Sequence, residues 1–149
     1  MNIGKITLET LPEVEEIGHK FTASVNYPGG FVYEAFAEAW TIALTHGYGE
    51  IFCARNEVGK VVGLLGGHFA KDPFNGTPVA AEQFWFVLPE ARSSSAAMRL
   101  LDAFEAEAKR RDRKKILMVR LEGEFAEILD KVYQRRGYVC VERTYAKDI

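Results

Sequence analysis

The sequence predicts a mixed α/β domain of 149 residues with the element order β-α-α-β-β-β-α-β-α-β. Its length is that of one ordinary domain, which can bury a core without disulfides or metals. Apolar residues recur at three- and four-residue spacing in several stretches, which is typical of amphipathic helices, and the stretches between them are short apolar or alternating runs typical of strands. No repeat, low-complexity segment or linker is present, so we expect a single domain over residues 1–149.

The first half of the chain is predicted to contain a strand, two helices and a hairpin. Pro12 suits the first turn of a helix, which the Asn-Tyr-Pro-Gly-Gly run of residues 26–30 ends. The glycines of residues 46–49 end the second helix. Asn56 and Gly59 suit the turn of a hairpin. The predicted ranges are 3–8 for the strand, 13–24 and 32–45 for the helices, and 51–54 and 61–65 for the paired strands.

The second half is predicted to alternate strands and helices. A loop over residues 72–78 precedes an aromatic-rich strand over residues 79–88. Residues 114–121 are predicted to form a strand. Their apolar residues follow one another so closely that neither face of this strand can be fully exposed to solvent. A helix over residues 124–135 ends at Gly137, and the chain finishes with a strand over residues 138–145. The inner face of the helix that follows the aromatic strand is predicted to be Ala97, Leu100, Leu101, Phe104 and Ala108.

The composition indicates a globular protein and argues against several other classes. Hydrophobic residues make up 48% of the chain and the formal net charge is −2, which argues against disorder and against a general polyanion binder. No apolar run has the length of a membrane span or of a secretion signal, so we expect a cytoplasmic protein without membrane contact. Cys53 and Cys140 have neither metal-ligand spacing nor an adjacent His, and we expect two buried thiols and no bound metal.

A run of small residues lies between the aromatic strand and the next helix. Small residues leave backbone N–H groups uncovered where a helix begins, and that end of a helix carries partial positive charge. The segment is therefore a predicted phosphate site. Its residues are Arg92, Ser93, Ser94, Ser95, Ala96 and Ala97.

This segment resembles the pyrophosphate-binding segment of the GCN5-related N-acetyltransferase (GNAT) superfamily. In that pattern Arg or Gln, two free positions, Gly, one free position, and Gly or Ala open the central helix. Arg92 and Ala97 match, and Ser95 stands where the first glycine is usual, so its Cβ is expected to crowd the cofactor. The segment from Tyr133 to Tyr138 is similar to the family's Tyr-x-x-x-Gly-Phe/Tyr motif. The short chain is also similar to acetyltransferase-like proteins of tailed phages.

The resemblance implies a fold, a cofactor and several residue roles. The fold would be a mostly antiparallel, twisted central sheet flanked by helices, and the cosubstrate would be acetyl-CoA. Tyr133 would protonate the departing thiolate. Members of the family frequently have an Asn on the helix before this Tyr, and that Asn is absent here. One contact to the pantetheine arm is therefore lost or supplied differently. Backbone groups at the end of the aromatic strand would hold that arm, at Phe86, Val87 and Leu88.

Three residues are candidates for the general base. Glu82 is the nearest carboxylate on the strand that leads to the phosphate segment. Strict alternation places Glu82 on the face of Phe84, away from Trp85, and a β-bulge would reverse this placement. His68 on the preceding strand has a suitable ordinary pKa. Glu122, after the next strand, is the third candidate.

Two functions remain open beside N-acetylation of a primary amine on a small molecule or a protein. The first is a coenzyme A-binding module with reduced catalysis, which Ser95 and the missing Asn would explain. The second is a nucleic-acid-modifying transferase that uses the basic run of residues 109–115, although the position of this run at a helix end favours a solvated terminus. We expect no nucleic-acid partner, and a homodimer paired through the last strand.

Overall fold

The computed structural model describes residues 1–149. The chain forms two compact units, Met1–Val119 and Arg120–Ile149, so one domain over the whole chain stays a prediction. The strands are β1 (Asn2–Ile6), β2 (Gly49–Arg55), β3 (Val61–Lys71), β4 (Pro78–Val87) and β5 (Lys115–Leu117), and the helices are α1 (Val14–Ser24), α2 (Tyr33–Thr45), α3 (Ala96–Arg110) and α4 (Ala126–Arg135).

The first unit is a five-stranded sheet in the order β1-β2-β3-β4-β5. Neighbouring strands from β1 to β4 are antiparallel, and β5 lies parallel to β4. The predicted mixed α/β class with a mostly antiparallel sheet is confirmed. None of the helices has the length and hydropathy that crossing a bilayer requires.

Helices cover both faces of this sheet. On one face, Trp40 of α2 packs against Phe84 of β4 with ring centroids 5.4 Å apart. On the other face, α3 buries Leu100 and Phe104 completely. These residues recur at the spacing of one helix face, which is why the sequence predicts α3 so directly.

The turns follow from local backbone chemistry. Asn56 accepts hydrogen bonds through Oδ1 from the N–H groups of Val58 and Lys60, at 3.2 and 2.9 Å, and so closes the β2–β3 hairpin. Gly47 has a φ of +74° and ends α2, because a residue without a Cβ adopts that left-handed conformation without strain.

The end of the chain differs from the prediction. The strand expected over residues 114–121 is limited to β5, and residues 138–149 contain no strand. Within the second unit α4 is the one regular element, so that unit offers no neighbouring strand to pair with. Val139, Val141 and Tyr145 are accordingly 80, 71 and 87% exposed. Cys53 is buried as expected, but Cys140 is exposed.

Candidate active site

The strands β4 and β5 separate at the position of Glu82. Their parallel pairing ends at Ala81, which lies opposite Leu117. The next residue of β4 is Glu82, and its Oε2 accepts a hydrogen bond of 2.7 Å from the backbone N–H of Val119. The Glu82 carboxyl group therefore connects β4 with the residues that follow β5, where the pairing of the two strands ends.

A β-bulge decides the face on which Glu82 lies. In the β3–β4 register Gly66 lies opposite Phe84 and Gly67 opposite Glu82, so Gln83 has no partner. Directly opposed residues of an antiparallel pair share a face. The extra residue therefore places Glu82 on the opposite face from Phe84, and the placement expected from strict alternation is wrong.

Two glycines opposite the bulge identify these faces. A Cβ on Gly66 would overlap the ring of Phe84, which packs against α2. A Cβ on Gly67 would overlap the ring of Phe104 on α3. Because Glu82 is the partner of Gly67, its side chain lies on the α3 face of the sheet.

Burial changes the protonation of Glu82. Its side chain is 6% exposed, and this burial raises the pKa of the carboxyl from 4.5 to about 7, against the opposing effect of the Val119 hydrogen bond. A desolvated carboxylate loses its hydration without a compensating positive charge. Both forms of Glu82 are consequently present near neutral pH.

The other two base candidates lie elsewhere. His68 lies opposite Ala81 and packs between the rings of Trp40 and Tyr48, at centroid distances of 4.9 and 5.4 Å. It thus faces α2, and burial lowers its pKa. Glu122 belongs to the second unit, where it is exposed and ion-paired with Arg120.

The predicted phosphate segment is an exposed loop at the start of α3. Ser94 closes this loop: its hydroxyl donates to the carbonyl of Ala91 at 2.5 Å and accepts the N–H of Ala96 at 3.2 Å. The N–H groups of Ala97 and Met98 have no acceptor in the chain. The loop therefore presents free donors at the positive end of a fifteen-residue helix.

The backbone at Ser95 does not require glycine. Its φ and ψ are −78° and 5°, a conformation that any L-residue adopts without strain. Ser93 and Ser95 are both exposed. The substitution of serine for the usual glycine thus leaves the loop backbone unstrained.

Arg92 returns to the strand that precedes it. A turn of 3₁₀ helix, Pro89–Ala91, reverses the chain, and the Arg92 Nε then donates to the carbonyl of Val87 at 3.0 Å. The guanidinium lies 5.6 Å from the centroid of the Phe86 ring. Phe86, Val87 and Leu88 are themselves buried at the end of β4.

Tyr133 lies in the second unit, in the last turns of α4. The N–H of Tyr138 donates to the carbonyl of Tyr133 at 2.9 Å, and that of Gly137 to Gln134 at 3.1 Å. With Gly137 at a φ of +85°, this is a Schellman cap, and the rings of Tyr133 and Tyr138 lie 5.5 Å apart. The motif thus has a structural role independent of any chemistry, and Tyr133 is 9% exposed.

The basic run of residues 109–115 is partly used inside the protein. Arg111 forms ion pairs of 2.8 Å with both Glu50 and Glu107. Arg113 donates to a backbone carbonyl of β3 at 2.9 Å. Two of its arginines are therefore held against the sheet and not presented to an external polyanion.

One feature of the site was not predicted from the sequence, and a second was predicted only as an alternative. The N–H of Val119 as a partner of Glu82 depends on long-range strand pairing, for which the sequence has no local signal. The bulge did have a signal, because the adjacent Gly66 and Gly67 interrupt a strand interior, where glycine often marks a bulge or a close approach.

Comparisons with known proteins agree with this architecture. The model of the acetyltransferase (GNAT) family matches residues 14–138. No curated protein matches the chain.

Solved structures share the fold at low sequence identity. A predicted acetyltransferase with acetyl-CoA from Clostridium acetobutylicum is 15% identical, with a TM-score of 0.80, over 99% of this chain and 95% of that one. A ribosomal-protein-alanine N-acetyltransferase from Brucella melitensis biovar Abortus 2308 is 19% identical, with a TM-score of 0.71, over 100% of both. AAC(6')-Iy, in complex with the bisubstrate analogue CoA-S-monomethyl-acetylneamine, is 21% identical, with a TM-score of 0.75, over 99% and 98%.

Proposed function

The chain belongs to the GNAT family of acetyltransferases, and from this premise we propose that it transfers an acetyl group from acetyl-CoA to a primary amine. The amine would attack the thioester carbonyl directly, without a covalent enzyme intermediate. Such a transfer needs a neutral amine, a polarised carbonyl and a protonated leaving group.

The observation that carries the proposal is the carboxyl group of Glu82. A general base works best when its pKa lies near the working pH, and burial raises the pKa of Glu82 to about 7. Glu82 would accept the proton that the amine releases, either directly or through one water molecule. Its position where β4 and β5 separate supports this role, because a polar group at a gap between strands can reach a bound substrate.

The loop and the end of β4 fit the cofactor. Acetyl-CoA, when bound, supplies an activated acetyl group and a thiol as the leaving group. The free N–H groups at the start of α3 and the unstrained backbone at Ser95 suit a pyrophosphate. Phe86, Val87 and Leu88 would hold the pantetheine arm through backbone groups, and Arg92, Ser93, Ser94, Ser95, Ala96 and Ala97 would surround the phosphates.

Tyr133 is proposed as the general acid. A phenol in a desolvated setting can transfer a proton to a departing thiolate, and the low exposure of Tyr133 is compatible with this role. Because the Schellman cap uses only backbone atoms and ring packing, phenylalanine at this position keeps the cap. The hydroxyl group can therefore be removed without removing the helix end.

The acceptor is proposed as a primary amine of a small molecule or a protein. The names of two structures of this fold refer to a ribosomal protein and to an acetylneamine analogue, so both acceptor classes belong in a test panel. Lysine side chains, peptide N-termini and amino sugars cover this range.

The test combines a thermal-shift titration with a thiol-release assay over that panel. We expect acetyl-CoA to raise the Tm, because a ligand that binds only the native state stabilises it by mass action, and at least one amine to release thiol. Tyr133→Phe should bind acetyl-CoA normally but turn over about 10- to 100-fold more slowly, whereas the exposed Tyr145→Phe should match the native enzyme. Absence of binding would refute the proposal, and binding without turnover on any amine would favour a coenzyme A-binding module.

A further inference from the structure

The side chain of Arg92 occupies the edge of β4 next to Val87. Its Nε lies 3.0 Å from the Val87 carbonyl oxygen, and its guanidinium lies 5.6 Å from the centroid of the Phe86 ring. The 3₁₀ turn between these residues begins with Pro89, whose fixed φ helps to set the reversal. The contact therefore follows from the local chain path.

The carbonyl of Val87 points away from β3, the neighbouring strand of the sheet. The N–H of Leu88 donates to the carbonyl of Val62 in the β3 direction at 2.8 Å. Backbone groups of successive residues in a strand point to opposite edges, so those of Val87 point to the other edge. On that edge β5 pairs only as far as Ala81, and no strand pairs with β4 beside Val87.

An added strand-like chain cannot share this edge with Arg92. Hydrogen-bonded strands run about 4.8 Å apart. The Arg92 Nε, 3.0 Å from the Val87 oxygen, therefore occupies space that an added strand would need. Under the proposed function, the pantetheine arm is the chain that would run here. Arg92 and the pantetheine arm therefore compete for the Val87 carbonyl.

We propose that Arg92 couples the two halves of the cofactor site by leaving the Val87 carbonyl when a pyrophosphate binds to the loop before α3. This inference rests on the proposed function. A guanidinium binds a phosphate in a bidentate, charge-assisted way, and such hydrogen bonds are stronger than those to a neutral carbonyl. Binding of the pyrophosphate thus moves Arg92 away from the edge of β4. The pantetheine arm then binds to that edge without competition from Arg92.

Coupling of this kind is measurable with fragments. If the contact with Arg92 must break before pantetheine binds, inorganic pyrophosphate should tighten the binding of pantetheine on the order of tenfold, within the usual range of coupling between two sites. The same pyrophosphate should have no such effect once the Arg92 side chain cannot reach Val87.

The experiment is isothermal titration of the whole chain with pantetheine, in the absence and presence of saturating inorganic pyrophosphate. We expect Arg92→Met to bind pantetheine alone about tenfold more tightly than the native protein and to show no effect of pyrophosphate. Arg99→Met is the matched control: it removes the same charge near the start of α3, but Arg99 contacts the carbonyl of Met1. It should keep the coupling.

NMR of the Arg92 Nε–H, assigned by its loss in Arg92→Met, provides a second reading if pantetheine saturates neither protein. Saturating coenzyme A should shift this signal, because the Nε–H then no longer donates to the Val87 carbonyl. Equal pantetheine affinity in native protein and Arg92→Met with unchanged coupling, or an Nε–H signal that saturating coenzyme A leaves unchanged, would overturn the inference. Failure of the native protein to bind coenzyme A at all would instead refute the proposed function.

Discussion

Glu82 combines a cost in stability with a suitability for catalysis. Only a backbone N–H compensates its burial, so the native protein holds the proton of this carboxyl more tightly than the unfolded chain does. A pKa of about 7 keeps a useful fraction of carboxylate at neutral pH. The same shift makes the folded state less stable as the carboxyl ionises.

Glu82→Gln should therefore stabilise the protein at alkaline pH. The stability that the bound proton supplies is complete below pH 4.5 and is lost as the pH rises through about 7. Glutamine keeps an acceptor for Val119 without a charge, so the variant should equal the native protein near pH 4.5 and exceed its free energy of unfolding by about 3 kcal/mol at pH 8. Urea unfolding at both values measures this.

Glu57→Gln, at an exposed position of the hairpin turn, is the control for this comparison. It should change stability little at either pH. A Glu82→Gln variant whose advantage does not grow between pH 4.5 and pH 8 would show that the folded protein does not shift this pKa upward.

At the scale of elements, the bulge in β4 lies opposite the two adjacent glycines of β3. Each glycine has an aromatic ring where its Cβ would be, Phe84 on one face and Phe104 on the other. Phe84 is half-buried and can move outward, whereas Phe104 is fully enclosed. Enclosed rings cannot relieve an overlap without shifting the core.

Gly67→Ala should accordingly destabilise the protein more than Gly66→Ala. We expect a loss of about 3 kcal/mol for Gly67→Ala and about 1 kcal/mol for Gly66→Ala, as for overpacked sites. Gly4→Ala is the matched strand control, since its Cβ would lie at an ordinary 3.8 Å from Cys53 Sγ. Denaturant unfolding measures all three, and equal losses for Gly66→Ala and Gly67→Ala would contradict the claim that Phe84 moves outward more easily than Phe104.

The elements could be predicted from the sequence where the signal is local. The 3.6-residue periodicity predicted all four helices, and Gly47 and Gly137 predicted where two of them end. The Asn56–Gly59 turn predicted the hairpin. The face of Glu82 could not be predicted by counting, because one unpaired residue, Gln83, reverses every side chain before it. Strand pairing at the end of the chain was overestimated, since apolar alternation does not reveal whether a partner strand is available.

At the scale of the whole molecule, one ionic network links β1, β2 and α3 of the first unit. Glu107 is 8% exposed at its side chain and pairs with Arg110, Arg111 and Lys5. Its hydrogen bonds to Arg110 are the largest cause that lowers its pKa to about 2. A depressed pKa supplies stability that is complete above the ordinary value and is lost as the pH falls through 2.

Glu107→Gln should thus destabilise the protein at pH 7 by about 1–2 kcal/mol, less than the full pKa shift implies because solvent screens Arg110 and Lys5. The difference from the native protein should shrink as the pH falls from about 4.5 towards 2. Thermal unfolding across this range measures it. A difference that stays constant down to pH 2 would exclude the ionised carboxylate as its source.

The order of the elements around the candidate site was predicted from the sequence. The small-residue loop, the strand before it and the helix after it lie together as expected, because these elements are consecutive in the chain. The folding of Arg92 back onto Val87 was not predicted, since it depends on the geometry of a 3₁₀ turn. The basic run was expected to be a solvated terminus, and two of its arginines instead have partners on distant strands.

The pH dependence of kcat/KM for acetyl-CoA-dependent acetylation tests the proposed role of Glu82 as the general base most directly. The acceptor should be a weakly basic amine whose pKa lies more than one unit below the lowest pH used, so that the amine itself does not titrate. We predict a rate that falls tenfold per pH unit below about 7 and is constant above it, and a Glu82→Gln variant at least about 100-fold slower at pH 8. A native profile that is flat from pH 5.5 to 9, or a Glu82→Gln variant with the native rate, would contradict the account.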